Sequence, residues 1–195
     1  MTGPSQDAEL VARLTELGLT VATAESLTAG AVCSRLAEVP GVSSVLRGGV
    51  VSYTNALKTD LLGVEAELLE ARGAVDDEVA RRMACGALLT TGADVGLSTT
   101  GVAGPEPHQG QPVGTVWTAV AVRTASLRRA GLRVSEDWEP RTLSTEVGPV
   151  RVRCRAELRL FEGDRAAVRA GSVEGAVGLL RDLAESVPPD HRPHG

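Results

Sequence analysis

Two residues of the sequence, Ser26 and Lys58, have side chains and local settings that suit nucleophilic attack on an amide. Ser26 follows a short apolar run at residues 21–24 and precedes a helical pattern that ends near residue 38. A strand that passes into a helix leaves unpaired backbone N–H groups at the turn, with the positive end of the helix dipole behind them. Such a turn suits an anion, an oxyanion or a nucleophile. The alternative is that Ser26 or Thr28 only caps the helix.

Lys58 is the only lysine among the 20 lysine and arginine residues. Arginine cannot act as a base near neutral pH, whereas lysine can if its pKa falls. Asn55 is expected to cap a helix over residues 56–62, which places Lys58 in the first turn, where the helix dipole and burial both lower the pKa of an ammonium. A neutral Lys58 could then take the proton of Ser26. Tyr53, the only tyrosine, could pass a proton or orient the lysine; alternatively, Lys58 is a solvated cation on the helix surface.

The motifs of other common hydrolases are missing from the sequence. His108 is the only histidine before the C-terminal tail, and no GxSxG, HExxH or GxxxxGK[ST] motif occurs. We therefore expect neither a metal nor a cofactor. Cys33, Cys85 and Cys154 are odd in number and lack CxxC spacing, which indicates reduced thiols and a cytoplasmic location.

Length and composition predict one α/β domain with a core of valine, leucine and alanine. The chain has 195 residues, and aromatic residues make up only 2% of them. The net charge of −5 argues against binding nucleic acid through a broad basic surface, although a local basic pocket could take a small anionic substrate. No apolar stretch is long enough for a membrane span, and no export signal is recognisable.

Alternating strand and helix patterns predict a layered sandwich in which a central mixed sheet is flanked by helices. The expected strands cover residues 19–23, 48–53, 94–100, 113–122 and 150–160. The expected helices cover residues 6–17, 28–38, 56–62, 65–72, about 77–91 and about 165–186. We assign residues 1–187 to the domain and residues 188–195 to a disordered tail, whose His191 and His194 are too isolated to be metal ligands.

Residues 123–150 are charged and irregular, which indicates a surface excursion that could include short strands. Residues 150–160 then alternate strictly between apolar residues and mostly arginine, as in a half-exposed antiparallel strand near an edge. The apolar face comprises Val150, Val152, Cys154, Ala156, Leu158 and Leu160. The arginines could suggest nucleic acid, but the acidic chain favours a solvated face. This strand and the excursion could also form a homo-oligomer interface.

Six motifs, in order along the chain, resemble the C-terminal domain of the competence/damage-inducible protein CinA. They are TAESLTAG at 23–30, GGVVSYTNALK at 48–58, GAV at 73–75, TGVAGP at 100–105, PVGTV at 112–116 and FEGDR at 161–165. The resemblance covers about residues 5–122 and 160–186. The chain departs from the family at Leu27 and Ala29, where Cys and Gly are usual, and at Gln111, where Lys is common.

The resemblance implies an activity, because standalone members of that family are nicotinamide mononucleotide amidohydrolases. They convert the carboxamide to nicotinate mononucleotide and ammonia, a salvage step towards NAD, with a serine/lysine dyad. Carried onto this chain, Ser26 is the nucleophile, Lys58 its base and Tyr53 an assisting hydroxyl. The substrate pocket would comprise Glu25, Thr28, Gly30, Gly101, Ala103, Gly104, Gly114 and Thr115. Arg165 would add an anion contact, unless it only forms a salt bridge with Asp164.

Two other functions stay open on the sequence. One is a non-catalytic nucleotide-binding or interaction module of the competence and DNA-damage system. The other is an amidase for a different small carboxamide, to which Ala29 and Gln111 point.

Overall fold

The computed structural model describes residues 5–186, and that part of the chain forms six strands and seven α-helices. The strands are β1 (Val21–Glu25), β2 (Leu46–Val51), β3 (Val95–Gly101), β4 (Thr115–Arg123), β5 (Glu139–Leu143) and β6 (Val150–Leu160). The helices are α1 (Gln6–Glu16), α2 (Ala31–Ala37), α3 (Asn55–Leu62), α4 (Ala66–Arg72), α5 (Asp77–Thr91), α6 (Thr124–Arg129) and α7 (Arg165–Glu185). The predicted α/β class is confirmed.

The six strands form one mixed sheet in the order β2-β1-β3-β4-β6-β5. β1 lies parallel to both β2 and β3, whereas β3, β4, β6 and β5 pair antiparallel in turn. The C-terminal ends of β1, β2 and β3 and the N-terminal end of β4 therefore lie along one edge of the sheet. Loops that follow parallel strands at such an edge commonly form a binding cleft.

The two faces of the sheet carry side chains of different size. Valines of β1 and β4, such as Val21 and Val120, pack against α1, α2 and α7. Alanines of the same strands, such as Ala22 and Ala119, face α5 instead. These small side chains let α5 lie close to the sheet. Gly96 of β3 is required there, because a Cβ would overlap the carbonyl oxygen of Ala84.

The structure moves the start of α2 from residue 28 to Ala31, because the chain turns before the helix begins. Ala29 N–H donates to the Ser26 carbonyl in this turn, and Ala29 and Gly30 have φ of +52° and +96°. A left-handed backbone costs an alanine more than a glycine. That conformation accounts for the glycine that the family usually carries at position 29.

The start of α3 also differs from the sequence prediction. Thr54, not Asn55, is the cap, since its hydroxyl accepts a hydrogen bond from Leu57 N–H. Lys58 is the fourth residue of this helix, so its predicted place in the first turn is confirmed. Asp76 caps α5 and Asp164 caps α7 in the same way, each through its side-chain carboxylate.

The excursion at residues 123–150 is more ordered than the sequence pattern predicts. It contains α6 and β5, and its apolar residues Leu127, Leu132 and Trp138 are buried against the core that includes α7. β5 is a short strand of the kind that the sequence allowed for, whereas α6 was not predicted, because six residues are too few to show a helical period. The segment is therefore anchored to the core at these residues, while most of it, including Val147, lies at the surface as predicted.

β6 is antiparallel as predicted, and it lies one strand inside the β5 edge. Its apolar face is buried only in the first half, where Val152 and Cys154 pack under α5. Leu158 and Leu160 belong to the predicted apolar face but are exposed, since the cluster that α5 forms over Val152 and Cys154 does not include them. The arginine face forms ion pairs with Asp137 and neighbouring glutamates, as expected of a solvated face.

Other sequence expectations concern the cysteines, the tail and membrane insertion. Cys85 and Cys154 are buried, Cys33 is half-buried, and all three are free thiols. The tail, with His191 and His194, lies outside the described residues. Within residues 5–186, no helix is long and apolar enough to cross a membrane.

Candidate active site

Ser26 lies at the first position after β1, on a turn that neighbouring elements hold in place. Its N–H donates to the Thr99 carbonyl of β3. The Arg169 guanidinium of α7 donates to the carbonyl oxygens of Leu27 and Thr28, at 3.0 and 2.9 Å. The nucleophile candidate is thus fixed by both the sheet and a helix, as precise positioning of a reacting group requires.

Glu25, next to Ser26, points away from the turn into the protein. The residue is 1% exposed, and its carboxylate accepts hydrogen bonds from the N–H groups of Gly30, Val32 and Cys33 and from the Thr23 hydroxyl. These N–H groups belong to the start of α2, where a helix leaves its donors unpaired. The carboxylate therefore fills the anion position that the sequence predicted for a ligand at this helix.

We expect the substitution Glu25→Gln to lower the free energy of unfolding by about 2–3 kcal/mol, because one carboxylate oxygen that accepts from backbone N–H groups becomes an NH₂ donor. Urea unfolding followed by circular dichroism measures this change. Glu38→Gln, at an exposed glutamate beyond the end of α2, is the matched control and should change stability little. Full stability of Glu25→Gln would contradict the assigned role.

Lys58, the only lysine in the chain, extends from α3 towards Ser26 and is 1% exposed. Its Nζ lies 3.2 Å from Ser26 Oγ and donates to the Ser52 carbonyl at 2.9 Å. Burial lowers the pKa of Lys58 to about 8, so burial, rather than the helix dipole, is the principal cause of the shift. A substantial fraction of the amine is neutral near physiological pH, and it lies within reach of the hydroxyl.

Ser26 and Lys58 both line a cavity of about 280 Å³. The volume is close to the lower end of the range for small-molecule sites, roughly 300 Å³. The other lining residues come from the turn after β1, the segment that leads from β2 into α3, the segment before α5, the end of β3 with the loop after it, and the start of α7. They are Leu27, Tyr53, Asn55, Ala74, Val75, Thr100, Gly101, Val102, Ala103, Gly104, Glu106, His108 and Arg165.

Tyr53 and Arg165 form a bridge at the exposed side of this cavity. The Arg165 guanidinium donates to the Tyr53 hydroxyl and to the Gly104 carbonyl, each at 2.8 Å. Tyr53 is 52% exposed, and its hydroxyl bonds to Arg165, not to Lys58. Asp164 caps α7 through Ala167 N–H, so the alternative salt bridge between Asp164 and Arg165 is not what holds the arginine.

The structure brings together seven of the residues that the resemblance implied and separates five others from the cavity. Those that line it are Ser26, Tyr53, Lys58, Gly101, Ala103, Gly104 and Arg165. Those that do not line it are Glu25, Thr28, Gly30, Gly114 and Thr115. The second group has structural contacts instead. The Thr28 hydroxyl bonds to that of Thr99, and a Cβ at Gly114 would overlap the Phe161 carbonyl oxygen.

Sequence reasoning missed four polar residues of the cavity, Asn55, Thr100, Glu106 and His108. His108 carried a signal, as the only histidine of residues 5–186, but its position depends on how the loop after β3 folds back. That loop is held by Gln109, whose side chain accepts from Ala74 N–H at 3.0 Å. No group of three or more His, Cys, Asp and Glu side chains within residues 5–186 could hold a metal ion.

Comparisons with known proteins agree on one family. A family model described as the CinA C-terminal domain matches residues 5–139. A CinA-like protein of Chlorobium limicola is 42% identical over 173 residues, which cover 77% of this chain and 40% of that protein. A putative competence-damage inducible protein of Geobacillus kaustophilus is 50% identical over 111 residues, 57% of this chain and 27% of that protein. The chain thus spans less than half the length of these curated relatives.

Solved structures of the same superfamily share the fold. The competence damage-inducible protein A of Klebsiella pneumoniae superposes with a TM-score of 0.72 at 28% identity, covering 93% of this chain and 99% of that one. The competence/damage inducible protein CihA of Agrobacterium tumefaciens gives 0.68 at 31% identity, covering 95% and 99%. Because the family model matches more than half of the residues of this chain, the chain belongs to the CinA C-terminal domain family.

Proposed function

We propose that this cavity hydrolyses the carboxamide of nicotinamide mononucleotide, yielding nicotinate mononucleotide and ammonia. One observation carries the proposal: the Nζ of a buried lysine lies 3.2 Å from a serine hydroxyl that opens onto the cavity. A serine is a weak nucleophile until an adjacent base takes its proton. The resemblance of the sequence motifs to amidohydrolases of this family supplies the substrate.

The reaction can be written as two acyl-transfer steps. Neutral Lys58 takes the Ser26 proton while Oγ bonds to the carboxamide carbon. The resulting ammonium donates that proton to the departing nitrogen as the C–N bond breaks, which releases ammonia and leaves an ester on Ser26. Water then attacks the ester with Lys58 again as base, and the proton returns to Oγ as the nicotinate product leaves.

The decisive experiment is an assay of ammonia release across nicotinamide, its riboside, its mononucleotide and NAD, with a chelator present. We expect release of ammonia from the mononucleotide. The chelator should not reduce it, since none of the steps above needs a metal. Binding of these nucleotides by calorimetry, with no ammonia from any of them, would instead favour a non-catalytic module. Release from an unrelated small carboxamide alone would keep the dyad and reject the substrate.

Arg165 is positioned to bind the substrate phosphate at the exposed side of the cavity. Its hydrogen bonds to Gly104 and Tyr53 leave further guanidinium N–H donors for an anion. Because a charge-assisted hydrogen bond contributes about 1.5–3 kcal/mol, Arg165→Gln should raise KM for the mononucleotide roughly 10- to 100-fold.

The phosphate-free riboside provides the internal comparison for Arg165→Gln. KM for the riboside should change much less, since it lacks the anion that Arg165 would bind. Arg47→Gln, at an exposed arginine of β2, should change neither value. Equal losses for the riboside and the mononucleotide would mean that Arg165 shapes the cavity and does not bind phosphate.

A further inference from the structure

The second half of β6 has a free edge. β4 pairs with β6 as far as Leu160, whereas β5 pairs with it only from Val150 to Cys154. Residues 156–160 therefore have no neighbouring strand on their outer side within the described chain. Leu158 and Leu160 are 48% and 73% exposed there. An edge with free N–H and C=O groups and exposed apolar side chains is a template for pairing with another strand.

We propose that this edge pairs with the same edge of a second copy of the chain. Residues 156–160 of the two copies lie antiparallel about a two-fold axis through Leu158, and the two sheets become one continuous sheet. An interface of this kind uses the same surface on both subunits, as is usual for soluble homodimers.

The direction of the backbone groups supports this register. Phe161 N–H donates to the Gly114 carbonyl next to β4, so the odd-numbered residues of this segment direct their backbone groups inward. The even-numbered residues Ala156, Leu158 and Leu160 direct theirs to the free edge. With the axis at Leu158, each Leu158 faces its own copy and Ala156 faces Leu160 of the second copy. Every facing pair can then exchange two hydrogen bonds.

The alternative registers fit less well. An axis at Ala156 would place residue 158 opposite Cys154, whose outer side is already occupied by Glu139 of β5. An axis at Leu160 would place residue 158 opposite residue 162, beyond the end of the strand. Only the axis at Leu158 uses the whole free segment.

The charges on the opposite face agree with the same register. Glu157 and Arg159, which are ion-paired at 2.8 Å within one chain, flank Leu158. The axis at Leu158 therefore sets Glu157 of each copy opposite Arg159 of the other. Opposite charges on directly facing residues stabilise an antiparallel pair, whereas like charges destabilise it. The partner that fits this edge best is thus a second copy of the chain.

Disulfide trapping tests the register. Facing residues of a hydrogen-bonded antiparallel pair have Cα atoms about 5.5 Å apart, within the range that a disulfide spans. Leu158→Cys, oxidised with diamide, should migrate as a covalent dimer on a non-reducing gel. In Leu160→Cys the two sulfurs would be separated by about four residues of strand, roughly 13 Å, so it should remain monomeric on the gel. Val147→Cys, at an exposed residue outside the edge, and the wild type with its partly exposed Cys33 are the controls.

Reversing the charges of Glu157 and Arg159 tests the interface without introducing a disulfide. Sedimentation should show a wild-type dimer at high micromolar protein. Glu157→Arg and Arg159→Glu should each weaken it about tenfold or more, because each sets like charges opposite one another. The double variant, which carries both Glu157→Arg and Arg159→Glu, should recover the dimer. A monomeric wild type, equal cross-linking of Leu158→Cys and Leu160→Cys, or a double variant as weak as the single ones would each overturn the proposal.

Discussion

Replacing Ser26 by alanine is expected to lower the turnover of nicotinamide mononucleotide by at least about 10⁴-fold, while the protein stays folded. The substitution removes the atom that would form the ester, and loss of a nucleophile removes most of the advantage of covalent catalysis. The turn itself should persist, because the Ser26 N–H bond to Thr99 and the Arg169 bonds do not involve the hydroxyl. Ammonia release under saturating substrate measures the loss.

Two further variants sharpen this experiment. Ser43→Ala removes a hydroxyl from an exposed serine of the Val42–Ser44 turn and should leave turnover unchanged. Residues that act as a unit have non-additive effects, so Ser26→Ala combined with Lys58→Met should be no slower than the slower single variant. Additive losses in the double variant, or wild-type turnover in Ser26→Ala, would remove the dyad from the mechanism.

The sequence was sufficient to place the dyad candidates because their signals are local. Ser26 lies where an apolar strand pattern breaks into a turn, and Lys58, the single lysine, lies in the first turn of a short helix. The distance between them depends on the sheet. β1 and β2 are parallel neighbours, so Ser26 and the segment leading into α3 emerge at the same edge.

Glu25 shows what a motif cannot supply. It belongs to the same short motif as Ser26, and the resemblance implied that it binds substrate. Side chains of successive strand residues point to opposite faces, so Glu25 and Ser26 diverge at the end of β1. Only the observed turn brings three N–H groups at the start of α2 back onto that carboxylate.

Exposure along β6 depends on how far another element packs over it, which the sequence pattern of the strand cannot show. Residues 150–160 alternate throughout, which predicts one continuous apolar face. Whether that face is buried is decided by the helix that packs over it, and α5 packs over Val152 and Cys154. Leu158 and Leu160 satisfy the pattern, yet they lie outside that cluster and remain exposed.

The origin of the lysine pKa also required the structure. A helix dipole at the first turn changes a surface charge by only about 0.3–1 kcal/mol, which is less than one pKa unit. Burial of the whole side chain accounts for the larger change, and burial depends on residues from β1, β2 and α3 closing around one nitrogen. A mechanism based on this lysine is therefore sensitive to pH in a defined direction.

Turnover is expected to rise with pH and to level off above about pH 8, the pKa to which burial lowers Lys58. In the proposed mechanism the neutral amine accepts the Ser26 proton, so kcat/KM should fall about tenfold for each pH unit below that value. Lys58→Arg should lose at least about 10³-fold at every pH, because a guanidinium keeps its proton throughout this range. The measurement is the pH profile of ammonia release between pH 6 and 10, with folding checked by circular dichroism at each point. A profile that is flat across pH 8, or residual activity of Lys58→Arg that follows the same curve, would show that a different group is the base.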